Sequence, residues 1–372
     1  MSENILILLQ GSQRSIYIES MIFDLQKRGY TVVVGSLGVA GGLQEFLIEN
    51  GFDCYTFDKK RKPLFSFYFS NYLFWKKIIK QHDIKIVFSH LQWANFIALI
   101  IGIFSFRKLC VIPTRHHIDA SFLHESRNAK IEDFIINLLA KRQVVVSEYA
   151  KRFMLKNEFF ARKSKIFYIP LGYEFQNYKT LSSGSETKIR GENSCELLLL
   201  IIARLIKTKR HFLVIEAVKI LKDRGLDIKL IILDDGPEKI NIQKKIESLD
   251  VADKIKMYGH QKFIVDFIRA ADLLVQPSIE ESSNQVVKEA SIQGRTAIVT
   301  KHIGDFDDYI IDKKNAFFID KETSVYQLAD LINEIYLKKY DLALMAKSLE
   351  SSVRQRFSIA HTVDEYIKLS QK

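Results

Sequence analysis

Cysteine, proline and glycine are all scarce in this chain of 372 residues, which carries 3, 5 and 16 of them. Cys54, Cys110 and Cys195 lie far apart with no CxxC pair. An odd and dispersed set excludes a disulfide framework and a thiolate zinc site, and points to a reducing compartment. So little proline and glycine excludes fibrous or low-complexity designs. Long apolar runs are missing as well: the longest, Ala94 to Phe104, is too short for a bilayer span, which needs about 20 residues. The start, MSENILILLQGS, lacks a cationic lead and a small-residue cleavage site, so it reads as a strand and not a signal peptide. The expectation is a soluble or peripheral protein.

What is present is enough for a large core, because 47% of the residues are hydrophobic, and the length favours two domains. The net charge of +11 is uneven: residues 1–180 hold 25 Lys and Arg against 15 Asp and Glu, and the remainder is nearly balanced at 30 against 29. A basic first half suits an anionic partner such as nucleic acid, a phosphorylated substrate or an acidic membrane face.

Short apolar runs alternate with amphipathic stretches. Residues 4–9, 31–35, 84–89, 109–114, 143–147 and 165–169 read as strands, and the pattern restarts with 197–203, 229–233, 254–258, 273–277 and 297–300. Helical spacing covers 211–224, 239–249, 265–271 and 285–294. This is the βαβ signature of parallel sheets. The polar run 178–194 cannot pack a core and is expected to be the linker. The resulting division is a first domain over 1–180, a linker over 181–194, a second domain over 195–352, and a terminal helix over 353–372 that packs back on the first domain.

In open parallel sheets, ligands bind at the carboxyl ends of strands, so the residues just after each strand are the candidates. After LLLLIIA come Arg204 and Lys209, a planar fork and a point charge ahead of a helix N-terminus, which suits a diphosphate. A solvated basic turn is the alternative reading. After LLVQP, Glu281 falls in the loop and Glu289 about one turn into the next helix; carboxylates there can accept hydroxyl hydrogen bonds from a polyol. In the first half His116, His117 and Asp119 follow the strand CVIPT, and a histidine there could bond a sugar hydroxyl or be a plain loop residue. Gly11 and Ser12, after the first strand, could turn backbone N–H groups toward a phosphate or an acceptor.

The ordered series ARLIKTKRHFLVIEAV, LIILDDGPEK, VADKIKMYGHQKFIVDFIRAADLLVQPSIEESSNQVVKEASIQG and AIVTKHIGDFDDYI resembles the carboxyl-terminal half of family 4 glycosyltransferases, retaining enzymes of GT-B fold. VVVSEYAKRFM and FYIPLGYEF resemble that family's first-half motifs. The resemblance implies two Rossmann-like α/β domains with parallel sheets facing a central cleft. It also implies that Arg204 and Lys209 hold a donor diphosphate, that Glu281 contacts the donor sugar and Glu289 the nucleotide ribose, and that Asn284 and Gln285 face sugar or phosphate. His117, and less so His116, take a place near the chemistry, with Gly11 and Ser12 on the acceptor or phosphate side. Departures are Ala203 and Arg210 where the family often has Gly, and Ser282-Ser283-Asn284-Gln285 for the usual Gly-Phe-Gly-Leu. An Asp-x-Asp at Asp305 and Asp307 suggests no metal role, because that motif belongs to the other glycosyltransferase fold.

The resemblance thus implies a metal-independent hexosyltransferase without cofactor, using a nucleotide-diphosphate sugar as co-substrate and a glycan or polyprenyl-linked lipid as acceptor. Bacterial cell-surface polysaccharide or lipopolysaccharide assembly on the cytoplasmic face of the inner membrane is the expected setting. The stretch 59–77 has aromatics on nearly all sides and cations at both ends, which suits a helix on an anionic bilayer or one buried between layers. Two other readings share these features: a nucleotide-sugar 2-epimerase of the same fold, and a non-enzymatic basic membrane- or nucleic-acid-binding protein. No nucleic-acid-binding motif is visible, so nucleic acid is not an expected partner.

Overall fold

Runs such as 5–9 and Leu197–Ile202 are apolar on both faces, as strands must be when helices cover both sides of a sheet. The computed structural model describes residues 3–58, 64–105, 109–118, 126–176 and 182–371. Two units divide the chain, Met1–Glu174 with Phe357–Lys372, and Phe175–Arg356.

The first unit runs β1 (Asn4–Leu9), α1 (Ile16–Lys27), β2 (Thr31–Leu37), α2 (Gly42–Glu49), β3 (Asp53–Phe57), α3 (Leu64–Gln81), β4 (Ile84–His90), α4 (Gln92–Phe104), β5 (Cys110–Arg115), α5 (Ser126–Leu139), β6 (Gln143–Val145), α6 (Glu148–Asn157) and β7 (Ile166–Tyr168). Its strands form one parallel sheet in the order β3-β2-β1-β4-β5-β6-β7. The second unit runs α7 (Glu186–Glu192), β8 (Leu197–Ile202), α8 (His211–Asp223), β9 (Ile228–Leu233), α9 (Lys239–Ser248), β10 (Ile255–Gly259), α10 (Ile264–Ala270), β11 (Leu273–Gln276), α11 (Gln285–Ile292), β12 (Thr296–Thr300), β13 (Phe317–Ile319), α12 (Val325–Tyr336) and α13 (Leu342–Arg356). Its parallel sheet has the order β10-β9-β8-β11-β12-β13. The last helix, α14 (Ile359–Gln371), belongs to the first unit. In each sheet the strand order reverses beside the unit's first strand, between β1 and β4 and between β8 and β11. Loops leaving opposite ways at such a point open a crevice at the carboxyl ends.

The structure adds to the sequence reading at α7, at β3 and β13, and at α3. The polar run after Tyr178 is not all linker: α7 lies in it, buries Ile189, and ties Arg190 to Asp272 at 2.7 Å. One apolar residue per two turns is too thin a pattern to see. Strands β3 and β13 were not read in the sequence: β3, DCYTF, has no fully buried residue and so no apolar run, and β13 has only three residues. The aromatic helix α3 is two-sided: Trp75 is fully buried and Phe67 nearly so, while Phe69 and Leu73 face solvent. Its flanking Lys59, Lys60, Arg61 and Lys62 lie outside the described residues.

Helix α14 and the residue pair leading into it are fastened by two segments of their own unit, β5 and the stretch after β7. Tyr366 Oη lies 2.8 Å from Thr114 Oγ1, Thr362 Oγ1 donates to Pro170 O at 3.0 Å, and Tyr173 N donates to Phe357 O at 2.8 Å. Gly172 permits this approach, since a Cβ there would sit 2.7 Å from Ile359 Cα. Gly172→Ala is therefore expected to lower unfolding stability by about 1–3 kcal/mol through overpacking, read as an earlier urea midpoint at unchanged slope.

Candidate functional site

The second unit gathers chemistry at the ends of three neighbouring strands, β8, β11 and β12. Beyond β8 the chain makes a single 3-10 turn, Lys207–Lys209, and enters α8 through Arg210 in the left-handed region at φ 54°. That conformation, costly for a side chain by about 1–2 kcal/mol, is where the resembled family often has Gly; here Arg210 is tied down by a 3.1 Å bond from Nη2 to Thr323 O. Beyond β11 the loop returns against this turn, with Ile279 N donating to Thr208 O at 2.9 Å.

The result is a close polar cluster. Lys209 Nζ lies 2.6 Å from Glu281 Oε1, and Asn284 Nδ2 donates to the same oxygen at 3.0 Å. Asn284 is also the N-cap of α11, accepting from Val287 N at 3.0 Å through Oδ1. One amide side chain thus starts the helix and orients the carboxylate. Arg204 is exposed, and among the described residues its side chain makes no hydrogen bond or ion pair. Gln285 opens α11, half-buried.

Glu289, one turn on, is only 7% exposed, and its Oε2 has no hydrogen-bond partner among the described residues. Burial pushes its carboxyl up to about 7, against the pull of neighbouring Lys288. A buried carboxylate lacking donors is expensive for a fold alone, and such groups cluster at functional sites. Lys288 itself is buried on Asp305, at 2.6 Å. The sequence offered no sign of this pair: Lys288 looks like one more surface lysine, and Asp305 like half of an Asp-x-Asp. The two aspartates of that motif go separate ways, Asp307 lying 3.1 Å from His302 Nδ1.

In the first unit the candidates fall around the β1/β4 reversal. Ser12 O accepts from Leu43 N at 3.1 Å, and Gly11 beside it is exposed. His116 Nε2 lies 3.1 Å from His90 Nδ1, at the end of β4, and Tyr17 packs edge-on to the His90 ring and tilted against that of His116. Burial drives the His116 pKa down to about 4, helped by His117, so it is neutral at pH 7. His117 turns elsewhere, with Nε2 at 2.9 Å from Asp133 Oδ2. Burial acts to raise the Asp133 pKa, but His117 and Arg115 outweigh it and hold the carboxyl below its usual range. Arg115 in turn makes a two-pronged bond to Glu158 at 2.7 Å. Asp133 and His90 were missed because no spacing along the chain links them to the histidine pair. Asp119 lies outside the described residues.

Family profiles match most of the chain: "Glycosyltransferase Family 4" over residues 15–176 and "Glycosyl transferases group 1" over residues 184–354. An uncharacterized glycosyltransferase of Methanocaldococcus jannaschii is 24% identical over 258 residues, spanning 63% of this chain and 62% of that protein. The N-acetylgalactosamine-N,N'-diacetylbacillosaminyl-diphospho-undecaprenol 4-alpha-N-acetylgalactosaminyltransferase of Campylobacter jejuni is 23% identical over 272 residues, 71% of this chain and 72% of that one. The lipopolysaccharide 1,2-N-acetylglucosaminetransferase of Salmonella typhimurium is 26% identical over 214 residues, 54% and 55%. Among solved structures, Anabaena HepE in complex with UDP superposes with a TM-score of 0.80 over 100% of both chains at 18% identity. Two Rossmann-like parallel sheets, the GT-B likeness and both family profiles agree, and the chain belongs to the family 4 glycosyltransferases.

Proposed function

We propose that this chain is a retaining, metal-independent glycosyltransferase that moves a hexose-type sugar from a nucleotide-diphosphate sugar to a glycan or lipid-linked acceptor in bacterial surface-polysaccharide or lipopolysaccharide assembly. The observation that carries the reading is the Lys209–Glu281–Asn284 cluster together with the donor-poor, buried Glu289 on the helix that Asn284 caps. HepE is known in complex with UDP, and the Campylobacter and Salmonella relatives are named for a diphospho-undecaprenol acceptor and for lipopolysaccharide. These support the choice of donor class and acceptor class.

Breaking the bond between anomeric carbon and phosphate leaves negative charge on the diphosphate, so fixed cations beside it lower the barrier. Arg204 and Lys209 take that role, with the N-terminus of α8 behind them. Glu281 accepts bonds from sugar hydroxyls, Asn284 and Gln285 line the sugar side, and Glu289 accepts the ribose hydroxyls that its unpaired oxygen lacks. The leaving phosphate takes the acceptor's proton in a front-side attack, which retains the anomeric configuration without a carboxylate nucleophile of the kind retaining hydrolases use. On the acceptor side stand His117, oriented by Asp133, with neutral His116, Gly11 and Ser12.

No helix among the described residues is long and apolar enough to cross a membrane. Peripheral attachment to the inner membrane, from the cytoplasmic side, is supported by Phe69 and Leu73 on α3 and Ile103 and Phe104 on α4, each at least half exposed, in a unit rich in lysine and arginine. Tyr72 and Phe104 lie with ring centroids 6.3 Å apart, joining the two helices into one patch.

Three outcomes check these readings. Free nucleoside diphosphate should appear only when donor and acceptor are both present, and fall about a hundredfold in Lys209→Ala, the cost of losing one fixed charge stabiliser; formation of an epimer without acceptor would reveal the epimerase instead. Glu289 binds its proton more tightly in the folded chain, so its stabilising contribution is full below about pH 4.5 and is lost as the pH rises through about 7. Glu289→Gln should therefore equal the parent in stability near pH 4, exceed it by up to about 3 kcal/mol at pH 8, and yet lose donor protection against thermal unfolding. Replacing Phe69 and Phe104 by Ser should reduce sedimentation with phosphatidylglycerol vesicles about tenfold and leave thermal stability unchanged.

A further inference from the structure

Lys288 and Asp305 are both withdrawn from water, at 1% and 0% side-chain exposure. Burial lowers the Lys288 pKa, and Asp305 opposes that shift. Among the described residues the ammonium, with three donors, bonds Asp305 Oδ2 at 2.6 Å, Ser283 Oγ at 2.8 Å and Asn284 O at 3.1 Å. Ser283 Oγ also donates to Asp305 Oδ2 at 2.6 Å. Replacing such a buried pair by apolar side chains is often neutral or stabilising. Stability alone therefore does not account for it, and what the pair holds is more telling.

It holds the loop that carries Glu281. Ser283 and Asn284 are the two residues before α11, and Asn284 passes the constraint on through its 3.0 Å bond to Glu281 Oε1. From the other side, Gly304 at φ 59° lies so close that a Cβ would meet Glu281 O at 3.1 Å. Asp305 is the next residue, so its bond to Lys288 presses the β12 turn against the Glu281 backbone. The Lys288 charge is also favoured by the Glu281 carboxylate.

We infer that Lys288, Asp305 and Ser283 form a positioning cluster for Glu281, fixing the loop so that the carboxylate meets the donor sugar at one angle. This rests on the donor role proposed above for Glu281; none of the three need touch the sugar. Side chains that orient a binding residue affect turnover without contacting the reacting atoms.

The test uses the full chain and three variants: Ser283→Ala, which removes one hydroxyl from the cluster, Lys288→Met, and the double Lys288→Met/Asp305→Ala, which leaves no buried charge unpaired. Turnover with saturating nucleotide sugar is expected to fall about ten- to one-hundred-fold in the double variant, and less in Ser283→Ala. Thermal midpoint and affinity for the free nucleoside diphosphate should stay near those of the parent in Ser283→Ala and the double variant, since Lys209 and Glu289 are intact, whereas Lys288→Met alone, which leaves the buried Asp305 charge unpaired, should melt earlier. Amide hydrogen exchange at Ser282, Ser283 and Asn284 should accelerate in both, with the β11 amides unchanged. Turnover within about twofold of the parent in the double variant, or unaltered exchange in the loop, overturns the inference. Should the parent chain turn over no nucleotide sugar, the proposed function fails by itself, and the exchange measurement still decides whether the cluster orders the loop.

Discussion

A contact between side chains 72 residues apart, Lys209 on Glu281, is the hinge of this structure. It forms because β8 and β11 are neighbours in a parallel sheet although β9 and β10 intervene in sequence. The chain builds outward from β8 in one direction, returns, and builds outward in the other, so the loops after these two strands are the pair driven together with no helix between them. The turn after β8 brings cations, the loop after β11 brings a carboxylate and an amide, and the helix that follows brings a second carboxylate. Every chemical role assigned to this unit uses residues within that short compass.

The compass is electrostatically expensive to build. Lys288 and Glu289 are adjacent in sequence, opposite in sign and both buried, yet they do not share partners: Lys288 is satisfied by Asp305, Ser283 and Asn284, while one oxygen of Glu289 has none among the described residues. An evolved fold rarely retains such an imbalance without use, because a neutral side chain of the same shape would be more stable. The imbalance supports the proposed placing of a ligand with hydroxyl donors at Glu289.

Much of this was legible without coordinates. The strand-end positions of Arg204, Lys209, Glu281 and Glu289 follow from apolar runs and helical spacing alone, whereas the capping role of Asn284 emerges only from its bond to Val287 N. What stayed hidden depends on pairing across the fold. Lys288 is indistinguishable from a solvated lysine until Asp305 is seen to reach it from the turn after β12, and the partner of His117, Asp133 on α5 at 2.9 Å, has no trace in the spacing along the chain. Helix α7 was hidden for a different reason: its stability comes from polar ties, Arg190 to Asp272 and Asn193 to Tyr258, which leave no periodic apolar trace.

The two glutamates show why similar residues in one site need different surroundings. Glu281 has a cation at 2.6 Å and an amide donor at 3.0 Å, so its orientation is held by the protein's own groups. Glu289 is held by helix packing instead, and its carboxyl titrates near neutrality because water is excluded. On the ribose role proposed for Glu289, hydroxyl donors would favour the ionised form, so binding and proton release would be linked: below about pH 7 a ribose bound there would expel part of a proton. Affinity on this account rises with pH toward a plateau, and the ionised carboxylate that weakens the fold is the form that strengthens the grip on the nucleotide.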